Sequence, residues 1–206
     1  MLHFYKNLFL IIFPLSLSLG YFRVDISPAI AQLLPDNTLG EENSVVTPNI
    51  NIKGIEGDRI DGGAKRGTNL FHSFQEFNIQ QGGQVYFSNP DGVTNILTRV
   101  TGDNTSNILG TLGVDGKADL FFINPKGIIF GSEAKLDVQG SFYGSTADSI
   151  LFNKGFEFTT SDPQAPPLLT VNVPIGLRLA ENPGSIQVEG RGHNINMSKY
   201  LSLIHI

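Results

Sequence analysis

Between residues 85 and 146, short apolar runs alternate with tight turns. The runs are rich in Ile, Leu, Val and Phe, and Gly, Asn, Pro or Asp stands at nearly every joint between them. Runs of about four to seven residues are typical of β-strands, and few of the joints leave room for a helix. The pattern predicts strands at 84–88, 95–101, 107–112, 118–123, 127–130, 135–138 and 141–144.

Two of the turns share the form Asn-Pro-x-Gly followed by Val or Ile. They occupy 89–93 and 124–128, and they begin 35 residues apart. This order favours a type I turn, because Asn bonds its own backbone, Pro presets φ and Gly tolerates the exit geometry. A recurrence within ~20–50 residues is typical of stacked repeat units. The spacing therefore favours a stack of repeats.

A parallel β-helix explains these joints better than a series of hairpins. Only 91–92 and 115–116 are Asp-Gly pairs of the kind that two-residue hairpins favour. In a β-helix each short strand turns a corner and pairs with the equivalent strand of the next coil, and Asn at repeated corners can form stacked ladders. We therefore predict an all-β fold, a right-handed parallel β-helix (a single-stranded solenoid) with an N-terminal cap and small extra-helical β elements.

The N-terminal segment 1–31 has the features of an export signal. An apolar run of about a dozen residues follows Lys6, and Ala29 and Ala31 are small residues at the positions that a signal peptidase reads. The run is shorter than the ~20 residues that a membrane-spanning helix needs. We expect cleavage after Ala31.

The rest of the chain divides into three parts by its pattern. We expect one folded domain over 32–190, with a cap at about 32–80 and coils at about 81–190, and a truncated or atypical tail at 191–206. Deletion of the cap should expose the terminal strand edges and cause aggregation. The prolines at 163, 166 and 167 predict a loop over the coil surface, and Pro174 is expected to stop a strand at 168–173. Residues 184–190 alternate again and predict the first strand of another coil.

Composition and charge exclude several classes of function. The net charge is −5 and basic residues do not cluster, so a nucleic-acid backbone is not an expected partner. Hydrophobic residues make up 40% of the chain, enough for a buried core. Cysteine is absent, which rules out disulfides, thiolate metal sites and a Cys nucleophile.

The aromatic stretch at 69–79 is interpreted as part of the core. Phe71, Phe74 and Phe77 stand three apart, and an aromatic plug explains them better than a ligand pocket. His72 has no second His or acidic partner at ligand spacing, so we do not interpret it as a metal ligand. No metal and no cofactor are expected.

An enzyme is one class of function to consider for a β-helix, namely a polysaccharide lyase or glycosidase. Such enzymes need grouped carboxylates on one face. Asp103, Asp115, Asp119 and Asp137 are scattered among different turns, and the charged stretch at 55–67 is interpreted as a solvated loop. We therefore expect no catalytic residues.

From about residue 45 to 150 the chain resembles the N-terminal secretion domain of filamentous haemagglutinin-type exoproteins. These are the passengers of two-partner secretion, and the resemblance is to the cyanobacterial branch. The turn at 124–128 is similar to the family signature N-P-N-G-I, with Lys126 in place of Asn. The turn at 89–92 stands in the place of the signature N-P-N-L, with Asp91-Gly92 instead of Asn-Leu. The segment 95–102 resembles the one that follows the first signature.

The resemblance implies a role in export. An adhesin-like protein of this kind would pass the inner membrane through the Sec machinery and reach the periplasm of a Gram-negative-type bacterium. A cognate outer-membrane transporter, a barrel with POTRA domains, would recognise the domain there, and folding outside the cell would bias its movement outward. Contact with a host or neighbouring-cell surface would belong to a downstream region. The resemblance assigns recognition to six residues, which plain turn chemistry also explains: Asn89, Pro90, Asn124, Pro125, Gly127 and Ile128.

Overall fold

Strands account for nearly all regular secondary structure in this computed structural model. The structure describes residues 32–166, 173–189 and 201–204. Within these residues, two single-turn 3-10 helices occur at Gly40–Glu42 and Asn153–Gly155. The strands are β1 Gln32–Pro35, β2 Ser44–Ile52, β3 Ile55–Gly62, β4 Ala64–Arg66, β5 Asn69–Asn78, β6 Gln84–Ser88, β7 Asn95–Val100, β8 Ser106–Ile108, β9 Thr111–Asp115, β10 Asp119–Ile123, β11 Ile128–Phe130, β12 Lys135–Asp137, β13 Phe142–Ser145, β14 Ser149–Phe152, β15 Glu157–Thr159, β16 Pro174–Arg178, β17 Ile186–Val188 and β18 Leu201–Ile204.

Most strands wind into a parallel solenoid with three faces and about three turns. Face A contains β5, β7, β10, β13 and β18, face B contains β3, β6, β9 and β12, and face C contains β8, β11 and β17. All neighbours within a face are parallel. The chain visits the faces in the order A, C, B, so each strand pairs with its equivalent one coil later. The predicted parallel β-helix is confirmed.

The strand register of face A gives the length of one coil. Asn69 pairs with Asn95, which lies 26 positions later in the chain. Two coils further on, the separation between Asp119 and its neighbour Ser141 is 22 positions. The spacing of the two predicted turns is longer than either step, so it is not the coil length. The turn after β6 lies at the corner from face B to face A, whereas the turn after β10 lies at the corner from face A to face C.

Inward-facing side chains stack in ladders along the solenoid axis. Leu70, Ile96, Leu120 and Phe142 are register partners in face A, and none is more than 3% exposed. Burial of each such side chain stabilises the fold by about 1.5–3 kcal/mol relative to its exposure. Faces B and C complete the inner core with ladders that include Val85, Leu112, Phe87, Val114, Ile108 and Phe130.

Antiparallel strands pair with the first strands of faces A and B. β4 and β1 both pair with β5, and β2 forms a hairpin with β3. The stretch interpreted as a charged loop at 55–67 is therefore mostly strand. Its Ile60 is fully buried, and Gly62 and Gly63 form the link with φ of +69° and +86°. Buried apolar positions between charged ones were the signal for a strand there.

A second antiparallel sheet leaves the solenoid between β13 and β17. Its strand order is β15-β14-β16, and it packs on the outer side of face A. The ring of Phe71 lies 4.9 Å from that of Phe158 and 5.7 Å from that of Phe152. Phe71 thus belongs to this outer cluster, while Phe74 and Phe77 fill the inner core as the predicted plug. The extra-helical β elements are confirmed.

Several strand predictions need correction. The run at 107–112 is divided between β8 and β9, because Gly110 turns a corner inside it. Pro174 begins β16 rather than ending a strand, a place that Pro tolerates because the first residue of a strand can lack its donor. The predicted strand at 168–173 lies mostly outside the described residues. The pattern of the tail at 191–206 predicted no place for it in the coils. Within this tail, however, Leu201–Ile204 forms β18, which pairs with β13 in face A.

Candidate functional site at two corners of the solenoid

The amide of Asn89 bonds forward to the next coil. Its Oδ1 accepts from the backbone N–H groups of Lys117 and Ala118 at 2.9 and 3.0 Å, and its Nδ2 donates to the carbonyl of Val93 at 2.9 Å. The backbone turn closes one residue later than predicted, because the Val93 N–H donates to the Pro90 carbonyl at 3.1 Å. Asn89 therefore joins the corners of two successive coils.

The amide of Asn124 bonds backward to the preceding coil. Its Nδ2 donates to the carbonyl of Asn104 at 3.0 Å and to Ser106 Oγ at 2.9 Å, while its Oδ1 accepts from the Lys126 N–H at 2.9 Å. The side chain is completely buried. Here the turn closes as predicted, with the Gly127 N–H donating to the Asn124 carbonyl at 3.1 Å. All polar groups of this amide are used inside the protein.

The remaining residues of the second turn are held between two coils. The Ile128 N–H donates to the Ser185 carbonyl at 3.0 Å, and the Pro125 carbonyl accepts from the Gly184 N–H at 2.7 Å. Gly127 has φ of +123°, and a Cβ there would come within 2.9 Å of the Ser185 carbonyl oxygen. Only glycine suits this conformation and this approach.

A third Asn-Pro turn stacks on the second, and sequence reasoning missed it. Ile186 is the register partner of Ile128, which places Asn182-Pro183 at the same corner as Asn124-Pro125. The signal was an Asn-Pro pair with Ile at the fourth position after the Asn in both cases. The long separation hid the repeat, because the extra-helical sheet is inserted between the two coils.

The outermost residues of the two predicted turns carry opposite charges. Pro90 and Asp91 are exposed at the first turn, and Lys126 is exposed at the second. Lys126 Nζ lies 2.9 Å from a carboxylate oxygen of Asp103, and the two side chains are 47% and 94% exposed. A partner that reads the folded turns therefore meets Pro90, Asp91 and Lys126, while the amides of Asn89 and Asn124 shape the turns from within.

A buried arginine beside these corners fastens the extra-helical segment to the solenoid. Arg99, which is 1% exposed, donates to the carbonyls of Thr159 and Gln164 at 2.9 and 3.2 Å. It also donates to Thr38 Oγ1 and Ser73 Oγ at 2.7 and 2.9 Å. Burial lowers the pKa of its guanidinium to about 10, so the group stays charged at neutral pH.

Hydroxyl groups connect Arg99 to the carboxylate of Asp36. Thr38 and Ser73 each donate to Asp36, at 2.6 and 2.7 Å, while they accept from Arg99. Thr101 donates to Asp36 at 2.6 Å. Burial opposes ionisation of Asp36, but these bonds outweigh it and the pKa lies below its ordinary value. The N-terminal segment, face A and the extra-helical loop thus share one polar network.

His72 lies inside the solenoid rather than at a surface site. Its Nδ1 is 3.0 Å from Ser44 Oγ, and its ring lies 5.2 Å from that of Phe87. Within the described part of the chain, its Nε2 has no hydrogen-bond partner. Burial lowers the pKa of His72 to about 3, and the opposing charge of Asp61 is too weak to restore it.

The buried His72 predicts a loss of stability in mild acid. The unfolded chain takes up a proton on this residue near pH 6.5, while the folded chain does not until about pH 3. The free energy of unfolding should therefore fall by about 1.4 kcal/mol for each pH unit below 6.5. Urea unfolding of the wild type and of His72→Gln between pH 7 and 4.5 measures this slope. An equal slope in both proteins would contradict the assignment.

Three of the four carboxylates considered for catalysis bind separate partners, and Asp115 is exposed at the end of β9. Asp137 accepts from Tyr86 Oη and Lys53 Nζ, both at 2.6 Å. Asp119 Oδ1 accepts from the Ser141 N–H at 2.7 Å, and Asp103 pairs with a lysine. Among residues 32–166, 173–189 and 201–204, no group of three or more His, Asp or Glu side chains is placed to hold a metal ion.

No helix within the described ranges is both long and apolar enough to cross a membrane.

Comparison with known proteins identifies relatives. The family model described as TPS secretion domain matches residues 31–204. A curated relative is the Heme/hemopexin-binding protein of Haemophilus influenzae (strain ATCC 51907 / DSM 11121 / KW20 / Rd), which is 34% identical over 104 residues. The aligned stretch is 50% of this chain and 11% of that relative. No solved structure matches the chain.

Proposed function

Because the chain belongs to the family of TPS secretion domains, we propose that POTRA domains of its outer-membrane transporter recognise it in the periplasm. The chain is the secretion domain of an exoprotein in two-partner secretion, and such a domain has a cognate outer-membrane transporter. The family match over residues 31–204 carries this proposal. Export through the Sec machinery, with removal of the signal by cleavage after Ala31, belongs to the same proposal.

Recognition is assigned to the two Asn-Pro turns, whose local bonds can form in the periplasm before the coils stack outside the cell. Pro90 and Lys126 face the transporter there, while the amides of Asn89 and Asn124 bond within their own turns, to the Val93 carbonyl and from the Lys126 N–H. Recognition by the transporter and maintenance of the turn shape are thus assigned to different residues of the same turns. A substitution at an exposed position should affect recognition alone, and a substitution at a buried position should affect stability as well.

The bonds between coils support a role in folding outside the cell. Asn124 Nδ2 finds both of its acceptors in the preceding coil, so this corner is completed on a coil that is already in place. In a solenoid each coil is stabilised mainly by its neighbours. We propose that β1, β2 and β4 pair with the first coil and leave growth to proceed from the other end.

Asn124→Ala should lower the free energy of unfolding by about 2 kcal/mol, because it leaves Ser106 Oγ buried without its donor and removes the bond to the Asn104 carbonyl. Asn182→Ala is the matched control, since Asn182 precedes Pro at the same corner but is exposed. It should change the free energy by less than about 0.5 kcal/mol. Urea unfolding measures both, and equal effects would contradict the role of the buried amide.

The secretion assay separates recognition from structure. The amount of chain exported by cells with the cognate transporter is compared for Asn124→Ala, Lys126→Ala and Asn182→Ala, together with each unfolding midpoint. We expect Lys126→Ala to keep the wild-type midpoint, because exposed ion pairs contribute about 0–1 kcal/mol, and to reduce export. If export follows the midpoint in every variant and Lys126→Ala is exported normally, the turns serve structure alone.

A further inference from the structure

Three concave surfaces join into one groove along the corner between faces A and C, here named the corner groove. Their volumes are about 490, 550 and 300 Å³. Glu76 and Asn104 line both the first and the second surface. Thr101, Asp103 and Ser161 line both the second and the third. The groove thus crosses the corners of successive coils and ends beside Asn182.

The lining of the corner groove is mainly polar. Most of its described residues carry amides, hydroxyls or carboxylates, a few such as Ile79 and Leu109 are apolar, and none is aromatic. Lys126 is its one basic side chain, against four carboxylates in the described part: Asp36, Glu76, Asp103 and Asp148. A ligand of this groove needs many hydroxyl or amide groups and no negative charge.

Bonds between coils hold the central amides in place. Asn104 Nδ2 donates to Glu76 Oε1 at 2.6 Å, which joins the second coil to the first. Asn107 Nδ2 donates to Asn78 Oδ1 at 3.2 Å in the same way. Each bond uses part of the capacity of these groups, so donors and acceptors remain for a ligand in a preset arrangement.

We propose that the corner groove binds a neutral oligosaccharide. Sugar hydroxyls both donate and accept, which suits a lining of amides, hydroxyls and carboxylates. Each of the three volumes lies within or near the ~300–1,000 Å³ of small-molecule sites. A continuous row of such surfaces fits consecutive sugar units of one chain. The excess of carboxylates disfavours an anionic polymer by repulsion.

A polypeptide fits the same groove less well. The edge strand β1 reaches the groove with Gln32 at one end, so a peptide strand added to that edge would not follow the groove along its length. Peptide recognition otherwise depends on anchors that are most often aromatic, and the described lining holds no aromatic side chain. Sugar binding is independent of the transporter proposal, because it concerns the folded domain after export.

Titration of the purified exported chain with hexasaccharides tests the proposal. The neutral probes are cellohexaose, mannohexaose and xylohexaose, and the anionic probe is hexagalacturonate. Isothermal titration calorimetry should detect binding of at least one neutral probe, with hexagalacturonate at least about tenfold weaker. Asn104→Ala should weaken the neutral probe about tenfold through lost hydrogen bonds. Ser161→Trp should abolish binding by filling the groove.

A matched control excludes general effects of amide removal. Gln187→Ala replaces an exposed amide of β17 that does not line the groove, and it should bind as the wild type does. Unfolding midpoints check that all variants are folded. Absence of binding to all three neutral probes would overturn the proposal. So would tighter binding of hexagalacturonate, or affinity that Asn104→Ala and Ser161→Trp leave unchanged.

Discussion

Arg99→Ala should lower the free energy of unfolding by about 3–5 kcal/mol. The substitution leaves the carbonyls of Thr159 and Gln164 without their donor, and it removes the charge that faces the ring of Phe158 at 4.2 Å. The carboxylate of Asp36 also loses its neighbouring cation. Urea unfolding monitored by circular dichroism at neutral pH measures the change.

Arg59→Ala is the control for Arg99→Ala. Arg59 pairs with Asp61 at 2.7 Å, but its side chain is 43% exposed, so its loss should cost less than about 1 kcal/mol. Hydrogen exchange of the amides of β14 and β15 localises the effect, because Arg99 holds the loop that follows β15. Similar losses for the two arginines would show that the buried network does not fasten the extra-helical sheet.

Gly110→Ala should lower the free energy of unfolding by about 3 kcal/mol. A Cβ on Gly110 would overlap the carbonyl oxygens of Gly83 and Gln80 in the preceding coil, and both belong to the backbone. The corner between faces C and B can relieve this overlap only by moving a whole coil. The free energy from urea unfolding is the measurement.

Gly82→Ala separates this crowding from the conformational preference of glycine. Gly82 has φ of +76°, but nothing lies within 4 Å of the position that its Cβ would take. Its substitution should therefore cost only about 1 kcal/mol from backbone strain. A larger loss for Gly82→Ala than for Gly110→Ala would contradict the close stacking of coils at this corner.

The strands of the solenoid were largely predictable from the chain. The run at 84–88 is β6, and the runs at 95–101 and 118–123 differ from β7 and β10 by a single position at one end. Alternation of apolar residues and Gly or Asn at the joints carried these predictions, because both are local properties. The 35-residue spacing of the two Asn-Pro turns indicated stacked repeats but did not give the coil length, since two different corners use the same turn chemistry.

The contacts between distant segments could not be predicted. Arg99 binds carbonyls of Thr159 and Gln164, and a backbone carbonyl has no signature in the sequence. The forward bond of Asn89 and the backward bond of Asn124 depend on the register of coils, which is a property of the whole stack. Tyr86 reaches Asp137 across Gly113 for the same reason.

Cysteine cross-linking tests the stacking of coils most directly, because the natural chain has no cysteine. Ile129 is the register partner of both Asn107 and Gln187 on the outer side of face C. Adjacent parallel strands place such Cα atoms about 5 Å apart, within disulfide reach, whereas two strands apart the distance is about 10 Å. Paired substitutions Asn107→Cys with Ile129→Cys, and Ile129→Cys with Gln187→Cys, should each oxidise to a disulfide, while Asn107→Cys with Gln187→Cys should stay reduced. Efficient oxidation of that last pair, with failure of the first two, would contradict a solenoid of stacked coils.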